Sequence, residues 1–447
     1  MGFKLFSFKG GVHPPDNKHF TENKPIETAN VPSLVYIPLQ QHIGAPCEPL
    51  VKPGDHVKLG QMIGQQRGFI SSPVHASVSG IVKSVTTMRT PQGSKVMTVV
   101  IENDGLDTLD ESVKPKDIDN LSIQDIRRAI LDAGIVGLGG AAFPTHVKLS
   151  PPAEKDIDCV ILNGAECEPY LTADHRLMIE EPDKIVSGLK VIMKVLDAKT
   201  GYIAIEDNKP EAISAMEKAV SNESNIQVVT LKTKYPQGSE KQLIQAITGR
   251  QVPSGGLPAD VGVEVNNVAT AAKIYEALET GMPLIERVVT VSGQGIREPK
   301  NLKVRIGTLF SDLIEQCGGF SCEPSKVIAG GPMTGIAQHS LEVPVIKGIA
   351  GILALSPEET KDEEVWPCIR CGKCIEVCPI NLMPLSISAY SLKGDFDTCR
   401  EYNALDCIEC GCCSYICPSK RPLVQSIVVA KNEIIAKEKS NISNKDR

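Results

Sequence analysis

The sequence predicts a multidomain chain that combines α/β and α+β units, and three observations support this fold class. The chain has 447 residues, which at about 100–200 residues per domain fits roughly three domains. Strand-like segments dominate the N-terminal part, and strands alternate with helices in the middle part. Ten of the 15 cysteines lie between Cys368 and Cys417. The C-terminal part therefore has a different chemistry from the rest of the chain.

The composition excludes several classes of protein. A net charge of -7 and an aromatic content of 4% argue against nucleic acid as a partner, because phosphates need basic surfaces and bases stack on aromatic rings. No segment reaches the roughly 20 apolar residues of a membrane-spanning helix, and the N-terminus lacks a signal-peptide core. We therefore expect a cytoplasmic chain, in which clustered cysteines bind metal rather than form disulfides.

Residues 1–105 are predicted to form a β domain. Residues 51–63 alternate around a Pro53–Gly54 turn, and residues 72–82 continue the same pattern. This pattern resembles the barrel-sandwich fold of biotinyl and lipoyl domains. The lysine that carries the prosthetic group in those domains is not evident at the expected hairpin, so no covalent cofactor is predicted.

Residues 118–283 are predicted to form an α/β domain with a mainly parallel sheet. Its first helix begins at a capping box, Ser122 with Asp125, and strands and helices then alternate from Asp158 to Gly281. A further α+β domain is assigned to residues 284–356, with its first strand at Val288. The cysteine domain is assigned to residues 360–430, and a charged helical tail to residues 431–447.

The cysteine domain repeats one spacing, C-x2-C-x2-C-x3-C-P, at 368–379 and 407–418. This is the spacing of two-cluster ferredoxins, in which the fourth cysteine of each run binds the other cluster. The alternative is a pair of structural zinc sites, which prefer separated C-x2–4-C pairs. Cys399 and Cys412 fall outside the repeated register and are predicted not to be ligands. The predicted ligands are Cys368, Cys371, Cys374 and Cys417 for one [4Fe–4S] cluster, and Cys407, Cys410, Cys413 and Cys378 for the other.

A glycine-rich loop begins at Gly137 and leads to Lys148. It matches the dinucleotide fingerprint G-x-G-x-x-A, but it follows a helix, whereas a Rossmann turn follows a strand. It is either a phosphate-binding loop, with charge from Lys148, or a hinge. Three further polar loops, at 163–169, 235–240 and 265–270, are predicted near the carboxyl ends of strands. Open α/β sheets bind ligands at that edge.

The segments GLGGAAFPTHVK, NGAECEP, YPQGSE and VNNVAT resemble the FMN- and NADH-binding motifs of the flavoprotein subunit of respiratory complex I. Together with the cysteine repeat and the N-terminal GGVHPPDNK, they make the whole chain similar to the C subunits of Rnf (Rsx) complexes. The resemblance implies four domains in order: a barrel-sandwich β domain, an α/β FMN/NADH-binding domain, a β-grasp (SLBB-like) domain and a helical two-cluster ferredoxin-like domain. Its implied cofactors are FMN and two [4Fe–4S] clusters, with NAD(H) as substrate.

The resemblance also implies roles for individual residues. Phe143 and Glu168 match positions that contact NADH, and no acid–base catalyst is implied. Three positions depart from complex I: Ala165 replaces Asp, Cys167 replaces Ser, and Leu257 replaces the phenylalanine that stacks on adenine. The implied FMN-binding residues are Gly137, Gly139, Gly140, Lys148, Asn163, Glu166, Cys167, Tyr235, Gly238, Ser239, Glu240, Val265, Asn266, Asn267 and Thr270.

For the whole protein, the resemblance implies a peripheral, NAD(H)-reactive subunit of a membrane-bound ferredoxin:NAD+ oxidoreductase coupled to Na+ or H+ translocation. The implied partners are an iron–sulfur subunit and membrane subunits, and the implied location is the cytoplasmic face of the membrane. One alternative is the cobalamin reductase of microcompartments, which is similar from the glycine loop onward but lacks the N-terminal β domain. Another is a non-catalytic connector that bears clusters.

Overall fold

The computed structural model describes residues 5–360 and 364–445. Four residues of the predicted β domain, three of the acidic linker before the cysteines and two of the predicted tail lie outside this part. The N-terminal β domain consists of two small antiparallel sheets, in the orders β2-β8-β7-β4 and β3-β5-β6. The strands up to residue 103 are β1 (Ile26–Thr28), β2 (Leu34–Pro38), β3 (Glu48–Pro49), β4 (His56–Val57), β5 (Met62–Gln65), β6 (Val74–His75), β7 (Gly80–Arg89) and β8 (Lys95–Asn103).

The α/β domain has a four-stranded sheet in the order β11-β10-β9-β12, and all three strand pairs are parallel, which confirms the predicted sheet. The first helix begins as predicted, because the Ser122 side chain accepts a hydrogen bond from the amide of Asp125. The elements are α1 (Ile123–Asp132), α2 (Thr145–Lys148), β9 (Cys159–Gly164), α3 (Ala173–Glu180), α4 (Pro182–Leu196), β10 (Thr200–Glu206), α5 (Pro210–Ala219), β11 (Ile226–Leu231), α6 (Glu240–Thr248), β12 (Val263–Asn267) and α7 (Val268–Thr280).

The β-grasp domain has a six-stranded mixed sheet in the order β1-β14-β13-β17-β15-β16. Strand β1 comes from the N-terminal part of the chain and pairs with β14 in parallel, which the sequence did not predict. The remaining elements of this domain are β13 (Glu286–Ser292), β14 (Lys300–Arg305), α8 (Phe310–Gln316), β15 (Lys326–Ala329), β16 (Ile336–Gln338) and β17 (Gly351–Leu355).

The cysteine domain is helical, and its small core contains Ile387, Cys399 and Ile427. Within the described residues, no helix is both long and apolar enough to cross a bilayer. The helices are α9 (Lys373–Glu376), α10 (Pro384–Ser391), α11 (Phe396–Glu401), α12 (Cys412–Tyr415) and α13 (Leu423–Lys445).

Residues 5–25, which we term the N-terminal strap, lie outside the β domain and run across the other three domains. Phe6 forms a bridge with Leu231 at the end of β11. Further along the strap, the amide of Gly11 donates to the carbonyl of Val377 in the cysteine domain at 2.8 Å. Lys24 then donates to a backbone carbonyl of the β-grasp domain.

Candidate flavin and iron–sulfur sites

The glycine loop is closed on itself and docked on helix α7. The amide of Gly137 donates to the carbonyl of Phe143 at 2.8 Å. The amide of Leu138 donates to Oγ1 of Thr270 at 2.9 Å, in a buried position. The loop therefore meets the N-terminus of a 13-residue helix, where backbone amides and the helix dipole favour an anion.

Asn267 joins this loop to helix α3. Its side-chain oxygen accepts hydrogen bonds from the amides of Ala269 and Thr270, which caps α7. Its amide nitrogen donates to the carboxylate of Asp174 at 2.6 Å. Asp174 is a residue that the sequence did not predict, and burial raises its pKa to about 7.

Two glycines of the loop differ in their surroundings. A Cβ on Gly139 would lie 3.3 Å from the Asn267 side chain, whereas a Cβ on Gly140 would meet no atom within 4 Å. Gly140 also has a φ of +115°, a conformation that favours glycine. Nearby, Oγ1 of Thr145 is buried without a hydrogen-bond partner among the described residues. The loop thus combines close packing on one side with open space on the other.

Lys148 lies between two carboxylates. Its Nζ is 3.0 Å from Glu240 and 3.1 Å from Glu264, and it donates to the carbonyl of Val265 at 2.5 Å. Burial disfavours the charged ammonium, but both carboxylates outweigh burial and raise the pKa of Lys148. Burial raises the pKa of Glu264 to about 7. Glu264 was not predicted as a site residue, although it immediately precedes the VNNVAT segment.

The loops at 163–169 and 235–240 are joined by hydrogen bonds. The side-chain amide of Asn163 donates to the carbonyl of Gly238 at 2.7 Å, and the amide of Gly238 donates to Sγ of Cys167 at 3.3 Å. A Cβ on Gly238 would lie 3.3 Å from that sulfur. Burial raises the pKa of Cys167 to about 12, so its thiol is neutral near pH 7. The predicted residues Ser239 and Asn266 lie in the same region, at the N-cap of α6 and near Glu264.

Two predicted glutamates bind other parts of the protein. The carboxylate of Glu166 accepts hydrogen bonds from the amides of Asp174 and His175 at the start of α3. The carboxylate of Glu168 accepts hydrogen bonds from Met333 and Thr334 of the β-grasp domain. Their contacts with FMN and NADH remain predictions. Of the aromatic and adenine positions, Phe143 is half-buried and Leu257 is exposed.

Two buried lysines donate hydrogen bonds to backbone carbonyls of the 163–169 loop. Lys18 donates to the carbonyls of Glu166, Glu168 and Leu171 at 2.6–3.1 Å. Lys209 donates to the carbonyl of Ala165 at 2.7 Å and pairs with Glu206. Neither lysine was predicted, because each acts on a segment that is distant along the chain.

Four of the predicted cluster ligands line one cavity, and we term them the outer cysteine set: Cys368, Cys371, Cys374 and Cys417. The amide of Arg370 points at Sγ of Cys368 at 3.4 Å. Arg370 has a φ of +56°, which turns this amide inward. Cys368 and Cys371 are exposed, so this cavity reaches the protein surface.

The other four predicted ligands, Cys378, Cys407, Cys410 and Cys413, form the inner cysteine set. Cys378 and Cys407 pack in the same apolar core, and burial together with the other three thiols raises the pKa of Cys413 to about 12. The amide of Glu409 points at Sγ of Cys407 at 3.4 Å and has the same turned conformation as Arg370, with a φ of +58°. The two halves of the domain are therefore built alike.

The inner cysteine set packs against the flavin-type loops. Tyr235, Cys412 and Val12 form one buried apolar cluster, against which Cys167 and Cys410 pack. Through this cluster, the sulfur at the predicted flavin contact lies near a predicted cluster ligand. Cys412, which is predicted not to be a ligand, points its thiol at the Tyr235 carbonyl at 3.8 Å.

The residues present fit both kinds of cofactor. Among the described residues, no three His, Cys, Asp or Glu side chains converge as a single metal ion requires. A four-iron cubane is larger, and each thiolate binds a different iron. N–H···S contacts to Cys368, Cys378 and Cys407 suit thiolates that carry charge. For FMN, the glycine loop, Lys148 and the N-terminus of α7 provide an anion site beside a loop that offers amide and thiol groups.

Four family profiles match the chain in the predicted order: an RnfC barrel sandwich hybrid domain over residues 6–106, a Nuo51 FMN-binding domain over 130–276, an SLBB domain over 288–337 and a 4Fe-4S dicluster domain over 367–420. These matches confirm the predicted fold class and the predicted FMN and iron–sulfur cofactors. The N-terminal match is also evidence against the cobalamin reductase alternative, which lacks that domain.

The NAD+-reducing [NiFe]-hydrogenase in its H2-reduced state has a similar structure, with a TM-score of 0.50 and 17% identity over 71% of this chain and 62% of that chain. This likeness shows the fold alone.

Several curated relatives are similar over nearly the whole chain. The C subunit of the Na(+)-translocating ferredoxin:NAD(+) oxidoreductase complex of Acetobacterium woodii is 55% identical, over 98% of this chain and 99% of that protein. The corresponding protein of the proton-translocating complex of Clostridium ljungdahlii is 53% identical, over 96% and 94%. That of the ion-translocating oxidoreductase complex of Rhodobacter capsulatus is 46% identical, over 96% and 83%. The chain therefore belongs to the family of C subunits of Rnf-type, ion-translocating ferredoxin:NAD+ oxidoreductase complexes.

Proposed function

We propose that this chain is the peripheral, NAD(H)-reactive electron-transfer subunit of a ferredoxin:NAD+ oxidoreductase complex coupled to Na+ or H+ translocation. One observation carries the proposal: the loops that match flavin-binding motifs share a buried cluster, at Tyr235, with the inner cysteine set. A nucleotide site alone or a pair of clusters alone would not need this contact. Its presence supports electron exchange between the two sites.

FMN supplies the chemistry that joins the two sites, because a flavin exchanges hydride with NAD(H) and single electrons with iron–sulfur clusters. Gly137, Gly139, Gly140 and Lys148 would hold the phosphate and ribityl part of FMN. Asn163, Glu166 and Cys167 would contact the flavin, and the residues at 265–270 would close the site. The residues that would line it are Tyr235, Gly238, Ser239 and Glu240. Among the chain's own groups, Glu264 offsets the charge of Lys148, and the neutral Cys167 thiol adds no negative charge beside the ring.

The two cysteine sets have different surroundings, which supports different roles. A Cβ on Gly411, in the inner half, would lie 3.1 Å from the carbonyl of Met333 in the β-grasp domain. A Cβ on the equivalent Gly372, in the outer half, would meet no atom within 4 Å. The inner cluster would therefore exchange electrons with the flavin site, and the outer cluster with a partner protein.

The surface around the outer cysteine set suits such a partner. Ile369 is 68% exposed, and Val365 and Trp366 are also exposed. Arg370 and Lys373 add positive charge to this surface. Exposed apolar side chains with a charged rim are typical of protein interaction sites. We propose that the iron–sulfur subunit of the complex docks here, while membrane subunits hold the chain at the cytoplasmic face.

The domain boundaries 1–105, 118–283, 284–356, 360–430 and 431–447 are proposed together with this function. The range 1–105 would then include the N-terminal strap and β1, which contact the other domains rather than the β domain. Strand β1, for example, pairs within the β-grasp sheet.

Anaerobic reconstitution with FMN, iron and sulfide tests the proposal. We expect the protein to bind FMN, and we expect NADH to decrease the flavin absorbance. Binding of both clusters without FMN would contradict this function and would leave the non-catalytic connector as the better description. A protein treated identically with riboflavin provides the control, because riboflavin lacks the phosphate that the glycine loop is proposed to bind.

A further inference from the structure

The N-terminal strap passes between the flavin loops and the inner cysteine set. Val12 pairs with Tyr235 through two backbone hydrogen bonds of 2.8 and 2.9 Å, one in each direction. One residue earlier, the amide of Gly11 donates to the carbonyl of Val377 at 2.8 Å. Val377 immediately precedes Cys378, a member of the inner cysteine set. The strap is thus hydrogen-bonded to the cysteine domain at Gly11 and to the flavin loop at the next residue, Val12.

The strap has two adjacent glycines at this point, and neither can be replaced without movement. A Cβ on Gly11 would lie 2.6 Å from the carbonyl oxygen of Tyr235. A Cβ on Gly10 would lie 3.0 Å from the carbonyl oxygen of Cys378 and 3.1 Å from that of Val377. In both cases the nearest obstructing atom is a backbone atom, which cannot rotate away as the end of a side chain can. Any side chain at these positions therefore pushes one of the two neighbours outward.

The two neighbours belong to the two redox sites. Tyr235 packs with Cys412 in the buried cluster that also contacts Cys167 and Cys410. Moving the Tyr235 carbonyl would displace the 235–240 loop, whose Gly238 is bonded to Cys167. Moving the Val377–Cys378 backbone would displace an inner ligand. The absence of side chains at Gly10 and Gly11 therefore allows the flavin loops and the inner cysteine set to approach this closely.

We propose that Gly10 and Gly11 are positioning residues that set the separation between the flavin site and the inner cluster. The inference rests on the proposed function, in which electrons pass between these two sites. Electron transfer between cofactors slows steeply as their separation grows. A spacer without side chains is the smallest one that a polypeptide can provide.

Gly11→Ala and Gly10→Ala in the full-length reconstituted chain test this proposal, with Gly54→Ala as the matched control. Gly54 also has a positive φ, +91°, but a Cβ there would meet no atom within 4 Å. The control therefore introduces the same backbone strain without changing any spacing. For each protein, bound FMN and iron are measured first. Flash photoreduction of the flavin, which needs no NADH, then gives the rate at which the clusters are reduced.

We expect Gly11→Ala to retain FMN and iron while its clusters are reduced at least about tenfold more slowly, since displacements near 1 Å cost geometry-dependent steps one to two orders of magnitude. Hydrogen exchange provides a readout independent of electron transfer: the amides of Val12 and Tyr235 should exchange faster in Gly11→Ala and at the wild-type rate in Gly54→Ala. Gly10→Ala should show a smaller slowing, because its contacts are longer.

Cluster reduction at the wild-type rate in both strap variants would overturn the inference. Loss of FMN or iron from both variants, with Gly54→Ala intact, would also overturn it, because the glycines would then retain cofactors rather than space them. Failure of the proposed function would be recognised separately, from the wild-type protein. In that case the wild-type protein would bind no FMN, or its bound flavin would not react with NADH.

Discussion

Glu264, the second residue of β12, forms a charged pair with Lys148 in the flavin site. The side chain of Glu264 is only 7% exposed. Burial raises its pKa to about 7 from an ordinary value of 4.5, although Lys148 opposes this shift. The carboxyl group therefore binds a proton more tightly in the folded protein than in the unfolded chain. Its contribution to stability is complete below pH 4.5 and is lost as the pH rises through 7.

Glu264→Gln removes this titration. Relative to wild type, the variant should gain roughly 1–3 kcal/mol of stability between about pH 5 and pH 8, because a shift of one pKa unit corresponds to about 1.4 kcal/mol. Unfolding midpoints of the two apoproteins across this pH range provide the measurement. A difference between variant and wild type that is constant with pH would contradict the raised pKa of Glu264.

Cys371→Ala tests the assignment of the outer cysteine set. Loss of one thiolate should remove one of the two clusters, so that about half of the bound iron is lost while FMN is retained. Cys322→Ala is the control, because Cys322 is an exposed cysteine outside both sets. Iron and FMN are quantified per chain after anaerobic reconstitution. Unchanged iron in Cys371→Ala would refute the ligand assignment.

At the residue scale, the sequence predicted the chemical types of the site residues better than it predicted which partners their side chains contact. The repeated spacing predicted that the fourth cysteine of each run joins the other group, and in the structure Cys417 lines one cavity with the first three cysteines of the first run. The assignment of all eight thiols as ligands stays a prediction. The partner of the Glu166 side chain was not predictable. Its carboxylate accepts a hydrogen bond from the backbone amide of Asp174 in the first turn of α3. That contact depends on where helix α3 begins.

At the scale of elements, the alternating strands and helices of the α/β domain were predicted because hydrophobic periodicity is a local property. Two features were not predictable, because they depend on long-range contacts. Strand β1 pairs with β14, more than 270 residues later. Lys18 binds the carbonyls of the 163–169 loop about 150 residues away. Nothing in the local sequence of the N-terminal strap or of β1 indicates either contact.

Lys18→Met tests how the strap supports the flavin loops. The ammonium of Lys18 binds three backbone carbonyls, and burial lowers its pKa. Removing it leaves buried acceptors unpaired, at a cost on the order of 3 kcal/mol. We expect a lower unfolding midpoint and weaker FMN binding.

Lys24→Met is the matched control for Lys18→Met. Lys24 lies in the same strap, is exposed and donates to one backbone carbonyl. The Lys24→Met substitution should therefore leave the unfolding midpoint and the FMN affinity close to those of the wild type. Equal effects of the two substitutions would show that Lys18 has no special role in the loop.

At the scale of the whole molecule, the other domains pack near the inner cysteine set, in which no cysteine is fully exposed, whereas Cys368 and Cys371 of the outer set are exposed. The α/β domain, the β-grasp domain and the N-terminal strap all contact the part of the cysteine domain that surrounds the inner cysteine set. The order of the domains was predictable from sequence motifs. Their mutual packing was not, because it depends on contacts such as that between Gly411 and Met333, which no motif encodes.

The central claim is that the flavin site and both clusters form one connected electron store that exchanges with NAD(H). The most direct measurement is the amount of NADH formed when fully reduced, reconstituted protein is mixed anaerobically with excess NAD+. Because FMN holds two electrons and each cluster one, we predict about two NADH per chain. One NADH per chain or less would contradict the account, since the clusters would then be disconnected from the nucleotide site.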